Sequence, residues 1–503
     1  MLKSWLKNAV GLFVIALYCL LTASCTKHDY ASAIPKDANL VAAMQLNQLA
    51  SDVRLSESKA ISRVKSFSGL IASGQTQEKV NAILEDPSLM GLDFDEPAFL
   101  FMTPDKCMGL SIRADDSDLL DEVVRTLARQ QLAGKPVERD DYTWTTLFIG
   151  VEMAYDAHTA LLMLPTTTDM SSAVLRSRMT QYLKQDSEMQ FAETENMKRI
   201  ETDAKHPVKL YARATSLPTA FYDIIKGLLP AGVKAGNVEV EASLSNDRNK
   251  TTLEASVFST DKQTDKLLKA ADKDLRDING EFTTAAPQDF FLWATIGCKG
   301  KKVVELMKKE KNTRDLLFLL ERGIDIENML SSVDGDLTLV LPQAPQKGQW
   351  EKQDFMLFGQ LAHDDFLKDV NDWKASARDY GVNIGNEAGG KNHFTLKADS
   401  YSLHWGVDNK QLYLASDGAY RNRAFNGNSS LIESMKEEVK GCKWFVCINP
   451  GAQSVQMGPM GNMAKSVESV TISGTKATQI RICITGTDKE QNVIGQFLSR
   501  LIP

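Results

Sequence analysis

Short sequence landmarks recur in the same order in the two halves of the chain, and this repetition constrains the fold more than any other feature. Residues 35–44 resemble residues 287–296, and residues 154–164 resemble residues 406–415, both at an offset of 252. Weaker matches lie between them in the same order, such as 91–95 with 323–327 and 114–120 with 362–367. Because an ordered series of matches indicates an internal repeat, we expect two related modules, residues 34–280 and 281–503.

The spacing of apolar residues predicts both strands and helices. Residues 238–244 and 251–258 alternate strictly between apolar and polar side chains and flank a polar turn, which predicts a β-hairpin. Helices are predicted at 115–133, 179–205, 217–229, 303–320 and 364–377. The highly charged stretch 179–205 is either a docking helix for a partner or a solvated surface helix. The predicted fold class is α+β, with two tandem, duplicated modules that have mainly antiparallel sheets and helices on one side.

The first 25 residues have the pattern of an export signal. Lys3 and Lys7 precede an uncharged, mostly apolar stretch at 9–21, and small residues at 22–24 lead to Cys25. The stretch is too short for a spanning helix, which needs about 20 apolar residues. A cysteine at the cleavage point resembles the lipobox of bacterial lipoproteins, which implies that Cys25 becomes the acylated first residue. We therefore predict a signal peptide at 1–24 and an anchor linker at 25–33. Ordinary cleavage without acylation is the alternative.

Charge and cysteine content narrow the class of protein. The formal charge is −7, and removing residues 1–24 with their two lysines leaves −9. An acidic chain is a poor partner for nucleic acid or for anionic lipid, so membrane attachment would depend on the anchor. Five cysteines lie beyond Cys25, an odd number in a chain long enough to build its own cores, and no disulfide framework is predicted.

The lipobox-like start, the sequence Ile34-Pro35-Lys36-Asp37-Ala38 soon after it, and the two-part α+β body resemble a family of exported Bacteroidetes lipoproteins described as a domain of unknown function. The resemblance implies a location and a fold, and no active site. In that group, acids after the cysteine accompany export to the cell surface. Residues 26–30 lack such a run, which favours the periplasmic face of a membrane.

Sequence signatures of catalysis are missing. The chain has no Gly-x-Ser-x-Gly, His-Glu-x-x-His, phosphate-loop or Gly-x-Gly-x-x-Gly motif. His393 and His404 flank two predicted strands and are expected at the surface. Acid pairs such as Asp93/Asp95, Asp115/Asp116 and Asp364/Asp365 are interpreted as helix caps and turn residues.

A methionine-rich stretch at 456–463 is the one unusual constellation. Met457, Met460 and Met463 are weak candidates for a Cu(I) site, because thioethers suit that soft metal. They could equally form an adaptable apolar binding tip, and the favoured interpretation is a loop whose methionines pack on the sheet.

These features together predict a lipid-anchored cell-envelope protein that is not an enzyme. It would be exported and anchored by palmitate or similar acyl chains to the outer membrane or another envelope membrane. We expect it to bind an envelope protein or glycan, with the cleft between the modules as the binding surface. No cofactor and no nucleic-acid partner are expected. The alternative is a hydrolase acting on envelope or dietary glycans or peptides.

Overall fold

The computed structural model describes residues 29–52, 74–139, 141–147, 150–167, 170–230, 232–285, 287, 290–309, 314, 317, 324–344, 353–387, 391–398, 402–418, 435–450 and 466–496. Its internal contacts divide the chain into two units. Unit 1 comprises Met1–Leu49 and Ser62–Thr202, and unit 2 comprises Ala50–Ile61 and Asp203–Pro503. Both units contain antiparallel sheet and helices, so the α+β prediction is confirmed.

Unit 1 contains an antiparallel sheet. Its strands are β1 Leu40–Met44, β2 Leu92–Asp93, β3 Ala98–Met102, β4 Cys107–Ala114, β5 Val137–Glu138, β6 Thr143–Thr146, β7 Glu152–Tyr155 and β8 Thr159–Pro165. The order is β1-β3-β4-β8-β7-β6-β5, and β2 pairs with the end of β4.

Helices cover both faces of the unit 1 sheet. The helices are α1 Leu46–Asp52 (which continues into unit 2), α2 Gln75–Glu85, α3 Ser117–Arg129, α4 Ser172–Leu183 and α5 Glu195–Arg199. Leu120 of α3 packs in one apolar cluster with Met153, whereas Arg176 of α4 lies over Trp144, which pairs with Ala154 on the opposite face. The prediction of helices on one side is therefore wrong. Every residue of β7 is buried, as a strand covered on both faces must be.

The predicted helix at 179–205 is also wrong. Helix α4 begins at Ser172, ends at Leu183, and is followed by 3-10 turns before the short helix α5. The chain turns because apolar residues in this stretch pack inward: Phe191 is 1% exposed and Ile200 is fully buried. A single solvated helix could not bury both of these side chains.

Unit 2 contains a longer antiparallel sheet. Its strands are β9 Val208–Arg213, β10 Glu239–Asp247, β11 Lys250–Phe258, β12 Leu292–Lys299, β13 Val333–Leu341, β14 Met356–Leu361, β15 Asn383–Asn386, β16 His393–Lys397, β17 Ser402–Asp408, β18 Gln411–Ala415, β19 Trp444–Ile448, β20 Val467–Gly474 and β21 Gln479–Gly486. The order is β9-β10-β11-β21-β20-β19-β12-β13-β14-β18-β17-β16-β15. The predicted hairpin is confirmed as β10 and β11.

Two apolar cores lie on opposite faces of the unit 2 sheet. The helices are α6 Thr219–Leu228, α7 Lys262–Ala271, α8 Gly300–Lys309, α9 Ile326–Ser331, α10 Val370–Arg378 and α11 Lys436–Val439. Trp405 packs on one face with Trp373 of α10. On the other face Trp293 packs against Phe445, and the segment 278–285 supplies apolar side chains such as Phe282.

A buried carboxylate holds that segment on the sheet. Asp336 of β13 is 1% exposed, and its two oxygens accept hydrogen bonds from the backbone N–H groups of Asn279, Gly280 and Glu281 at 2.8–3.0 Å. Hydrogen bonds to an ionised acceptor are stronger than neutral ones. Asp336 therefore fixes the start of the segment that covers one core.

The cysteines behave as the sequence suggests. Cys107, Cys298, Cys442 and Cys447 are buried, Cys483 is half-buried, and none of these five forms a disulfide. Burial raises the pKa of Cys298 and of Cys447 to about 12. Because the thiolate is the reactive form, these two side chains act as small apolar core residues.

Replacing Asp336 with Asn should destabilise the protein by about 1.5–3 kcal/mol, because the charge and one of the two acceptor oxygens are lost. Urea unfolding measures the difference. Asp334→Asn is the matched control. Its carboxylate is partly exposed and pairs with Arg276 at 2.7 Å, so its loss should cost at most about 1 kcal/mol. Equal losses for the two variants would contradict the role given to Asp336.

Candidate functional site

Strands β11 and β21 bring distant parts of the chain side by side. Lys250 pairs with Thr485 and Ser256 pairs with Gln479, in antiparallel register. β11 precedes residue 280 and β21 follows it, so this pairing joins the two sequence segments predicted to be modules. Both strands are rich in β-branched residues such as Thr252 and Ile482, which favour a pleated conformation.

The two faces of this strand pair differ in polarity. Leu253, Ala255 and Val257 share one face, where Val257 packs in a core with Ile225 of α6. The opposite face presents Glu254 beside its cross-strand partner Arg481. Alternation along each strand separates the two sets, so one face is covered by helices and the other is polar.

A groove with a volume of about 590 Å³ lies on the polar face. We call it the seam groove. Helix α11 and the strands β11, β19, β20 and β21 enclose it, and the side chains that line it include Glu254, Ser256, Glu437, Glu438, Cys442, Phe445, Thr471, Ser473, Gln479, Arg481 and Cys483. It lies inside unit 2 and can accommodate a peptide or saccharide segment.

Charges of both signs border the seam groove. Glu254 lies 3.4 Å from Arg481, and Lys250 lies 3.8 Å from Glu438. All four side chains are about half exposed. Exposed pairs of this kind contribute only about 0–1 kcal/mol, so a partner can replace them at little cost. The border therefore suits a ligand that carries both charges.

Small uncharged groups line the inner part of the groove. The Cys442 thiol donates a hydrogen bond to the Glu438 carbonyl oxygen at 3.1 Å. Burial raises the pKa of Cys442, so the thiol stays protonated and is a poor nucleophile. At Gly474 a Cβ atom would lie 2.6 Å from the Trp444 ring, so glycine is required for this close approach. This composition suits binding better than covalent catalysis.

A separate polar network crosses β16, β17 and β18. His404 Nδ1 lies 2.9 Å from Glu387 Oε1, and the Tyr413 hydroxyl donates to Glu387 Oε2 at 3.2 Å. His393 Nδ1 lies 3.1 Å from the same hydroxyl. Gly406 separates His393 and Tyr413 in the register, and a Cβ atom there would lie only 2.5 Å from His393 Nδ1. The glycine therefore permits the network.

This network corrects one prediction from the sequence. His393 is 4% exposed and fully enclosed, and the His404 side chain is 20% exposed, so His393 is not a surface residue. No sequence pattern indicates this burial, because the partners of His393 are polar residues elsewhere in the chain: Tyr413 on β18, and Glu387 directly after β15. Cross-strand contacts of this kind depend on register, which no single segment reveals.

Two of the acidic candidates have the predicted roles of helix cap and turn residue. Asp116 caps α3 by accepting a hydrogen bond from the Leu119 N–H at 2.9 Å, and Asp93 accepts one from the Asp95 N–H in a turn. Asp364 precedes a 3-10 helix without a side-chain cap. The candidates Cys25, Met457, Met460 and Met463 lie outside the described residues.

Among the residues that the structure describes, no group of three or more His, Cys, Asp or Glu side chains is arranged to hold a metal ion. Over the same residues, no helix has both the length and the apolar character that crossing a bilayer requires.

The fold and the seam groove define an α+β protein built on antiparallel sheets, with a groove suited to binding. The chain belongs to the family described as "Domain of unknown function (DUF4836)", whose model matches residues 30–449. No curated protein matches the chain.

Two solved structures show a weak similarity. They are titled "Structure of crystal form I of TP0453" and "Structure of crystal form III of TP0453", with 10% and 12% sequence identity. Each comparison covers 46% of this chain, and 79% and 80% of the respective solved chains, with TM-scores of 0.28 and 0.22. Similarity at this level supports no conclusion about fold or function.

Tyr413→Phe should destabilise the protein by about 1–3 kcal/mol, because it removes the hydroxyl shared by Glu387 and His393 from a buried position. Equilibrium unfolding in urea measures this. Tyr380→Phe is the control, since Tyr380 is 65% exposed and should tolerate the change. If Tyr413→Phe were as stable as the wild type, the network would not contribute to stability.

Proposed function

We propose that this protein is a lipid-anchored cell-envelope protein that binds a partner in the seam groove and catalyses no reaction. The observation that carries the binding role is the groove itself, with its two-signed border and its small, uncharged interior. The anchor is proposed at Cys25, on the periplasmic side of an envelope membrane. The family match is compatible with this proposal and assigns no activity.

The packing of the residues after Cys25 supports a short tether. Residues Asp29–Ala33 form a 3-10 helix in unit 1, and Tyr30 is fully buried. The Tyr30 hydroxyl donates to the Pro97 carbonyl oxygen at 2.6 Å, and Ser111 Oγ donates to the Tyr30 carbonyl oxygen at 2.8 Å. Three residues separate Cys25 from Asp29, so this part of unit 1 would lie within about 14 Å of an acylated Cys25.

Attachment by acyl chains is consistent with the charge of the protein. A net charge of −9 for residues 25–503 opposes adsorption to anionic lipid. Each buried methylene of an acyl chain contributes about 0.8 kcal/mol, and two or more chains give stable anchoring. The hydrophobic effect would therefore hold the protein at a membrane that its charge does not favour.

Strand order supports the proposed duplication, with modules at 34–280 and 281–503. The order β12-β13-β14-β18-β17-β16-β15 in unit 2 repeats β1-β3-β4-β8-β7-β6-β5 in unit 1, position by position. β12 begins 252 residues after β1, and β18 begins 252 residues after β8. This is the offset found between the sequence landmarks. Units 1 and 2 are defined by contacts, whereas the modules are defined by repetition of sequence and strand order. The boundaries of the units therefore need not coincide with those of the modules.

A hydrolase acting on glycans or peptides is the alternative, and the Glu387–His404–Tyr413–His393 network is the feature that favours it. Such groups transfer protons in many enzymes. Tyr413 is fully buried and His393 is 4% exposed, so a substrate could reach only His404 and Glu387. The network therefore fits a structural role better, and we retain the binding proposal.

Metabolic labelling with a radioactive fatty acid tests the anchor. The wild type should become labelled and remain with the membrane fraction, whereas Cys25→Ala should lose the label. Cys483→Ala is the control, because Cys483 is the half-buried cysteine among the described ones and its loss should leave labelling unchanged. An unlabelled wild type would contradict the anchor.

Photo-crosslinking in intact cells tests the binding role. A benzophenone amino acid at Gln479, which lines the seam groove, should form a discrete crosslinked product. The same amino acid at Lys269, an exposed position on α7, should not. Ser473→Trp, which fills the groove, should abolish the product at Gln479. Identical products at both positions would contradict the proposed site, and turnover of a glycan, peptide or ester by the purified protein would contradict the non-enzymatic role.

A further inference from the structure

A second groove lies in unit 1, between α4 and the start of β6. Its volume is about 480 Å³. Trp144 of β6 and Tyr142, which directly precedes that strand, both line the groove. Arg176, Thr180 and Lys184 follow each other at intervals of four along α4 and its C-cap, which places them on one side of the helix. The groove thus has an aromatic wall and a helical wall.

Three contacts align the two walls. The Arg176 guanidinium lies 4.7 Å from the centroid of the Trp144 ring. The hydroxyls of Tyr142 and Thr180 are 2.7 Å apart, and Lys184 Nζ lies 6.0 Å from the Tyr142 ring. An arginine stacked on an aromatic face keeps its in-plane N–H groups available for a carboxylate. Among the described residues its guanidinium makes one hydrogen bond, from Nε to the Ser172 carbonyl oxygen at 3.2 Å. Trp144 therefore holds the Arg176 guanidinium in a position from which it can bind a carboxylate.

The groove is positively charged in an acidic protein. Arg139, Arg176 and Lys184 line it, and Asp141 pairs with Lys184 at its border. Among the described residues, no carboxylate forms an ion pair with Arg139 or Arg176. The Lys184 and Asp141 side chains are 47% and 64% exposed, and exposed pairs are weak. A ligand carboxylate can therefore compete with Asp141.

We propose that this groove binds an acidic saccharide, such as a chain that contains uronic acids. Arg176 on α4 and Lys184 at its C-cap lie eight residues apart, about 12 Å along the helix axis, so their charges match a chain with separated carboxylates better than a single small anion. The lining also includes hydroxyl groups and aromatic rings, from Tyr142, Trp144, Ser177 and Thr180, beside the apolar side chains of Ala154, Ala173 and Met179. Saccharides present the same mixture of hydroxyls and apolar ring faces. This site goes beyond the seam groove and does not depend on it.

Isothermal titration calorimetry of the full-length protein in detergent tests the proposal. Oligogalacturonate should bind, neutral oligogalactan should not, and raising the salt from about 50 mM to about 500 mM should weaken binding. Arg176→Met and Lys184→Met should each raise the dissociation constant about tenfold, as expected for a charge-assisted hydrogen bond. Both variants keep most of the apolar stem of the side chain and so should fold.

Arg178→Met is the matched control. Arg178 lies on the same helix but pairs with Asp105 at 2.9 Å and lines a different groove, so its loss should leave the affinity unchanged. The proposal would be overturned if oligogalacturonate did not bind, or if Arg178→Met weakened binding as much as Arg176→Met. It would also be overturned if polyglutamate or inorganic phosphate bound as tightly as oligogalacturonate, because the groove would then recognise charge without saccharide.

Discussion

The antiparallel pairing of β11 with β21 is the constraint on which the rest of unit 2 depends. It joins β9–β11 to the strands that follow residue 290 and makes one continuous sheet of them. The cost in chain entropy of closing a loop of this length grows only slowly with its length, and the backbone hydrogen bonds and the core around Val257 offset it. The seam groove exists because this pairing sets Glu254 beside Arg481.

Local patterns predicted much of the fold. The hairpin β10–β11 can be predicted because its apolar and polar residues alternate. Helix α3 can be predicted because acidic residues precede a stripe of apolar residues at helical spacing. The helix expected at 179–205 was wrong, since tertiary packing of Phe191 and Ile200 overrides the helical preference of charged residues. Helices on both faces of unit 1 were also missed, because a short buried strand such as β7 does not reveal what covers it.

The candidate sites were less predictable than the fold. The seam groove collects residues from β11, α11 and β19–β21, and none of them belongs to a motif that sequence reasoning can recognise. The cationic groove in unit 1 depends on the register between α4 and β6. Cys25 is the opposite case, because its predicted role depends on the local sequence alone. The cellular location is therefore predicted from one sequence segment, whereas a binding groove depends on contacts between segments that are distant in sequence.

Amide hydrogen exchange of β11 and β21, followed by mass spectrometry, tests the central claim most directly. If β11 and β21 stay paired and line the seam groove at all times, their amides should be protected to the same degree as those of the paired strands β12 and β13. Exchange of the β11 and β21 amides as fast as that of the exposed turn residue Arg248 would contradict the account, because the two strands would then be separated for much of the time.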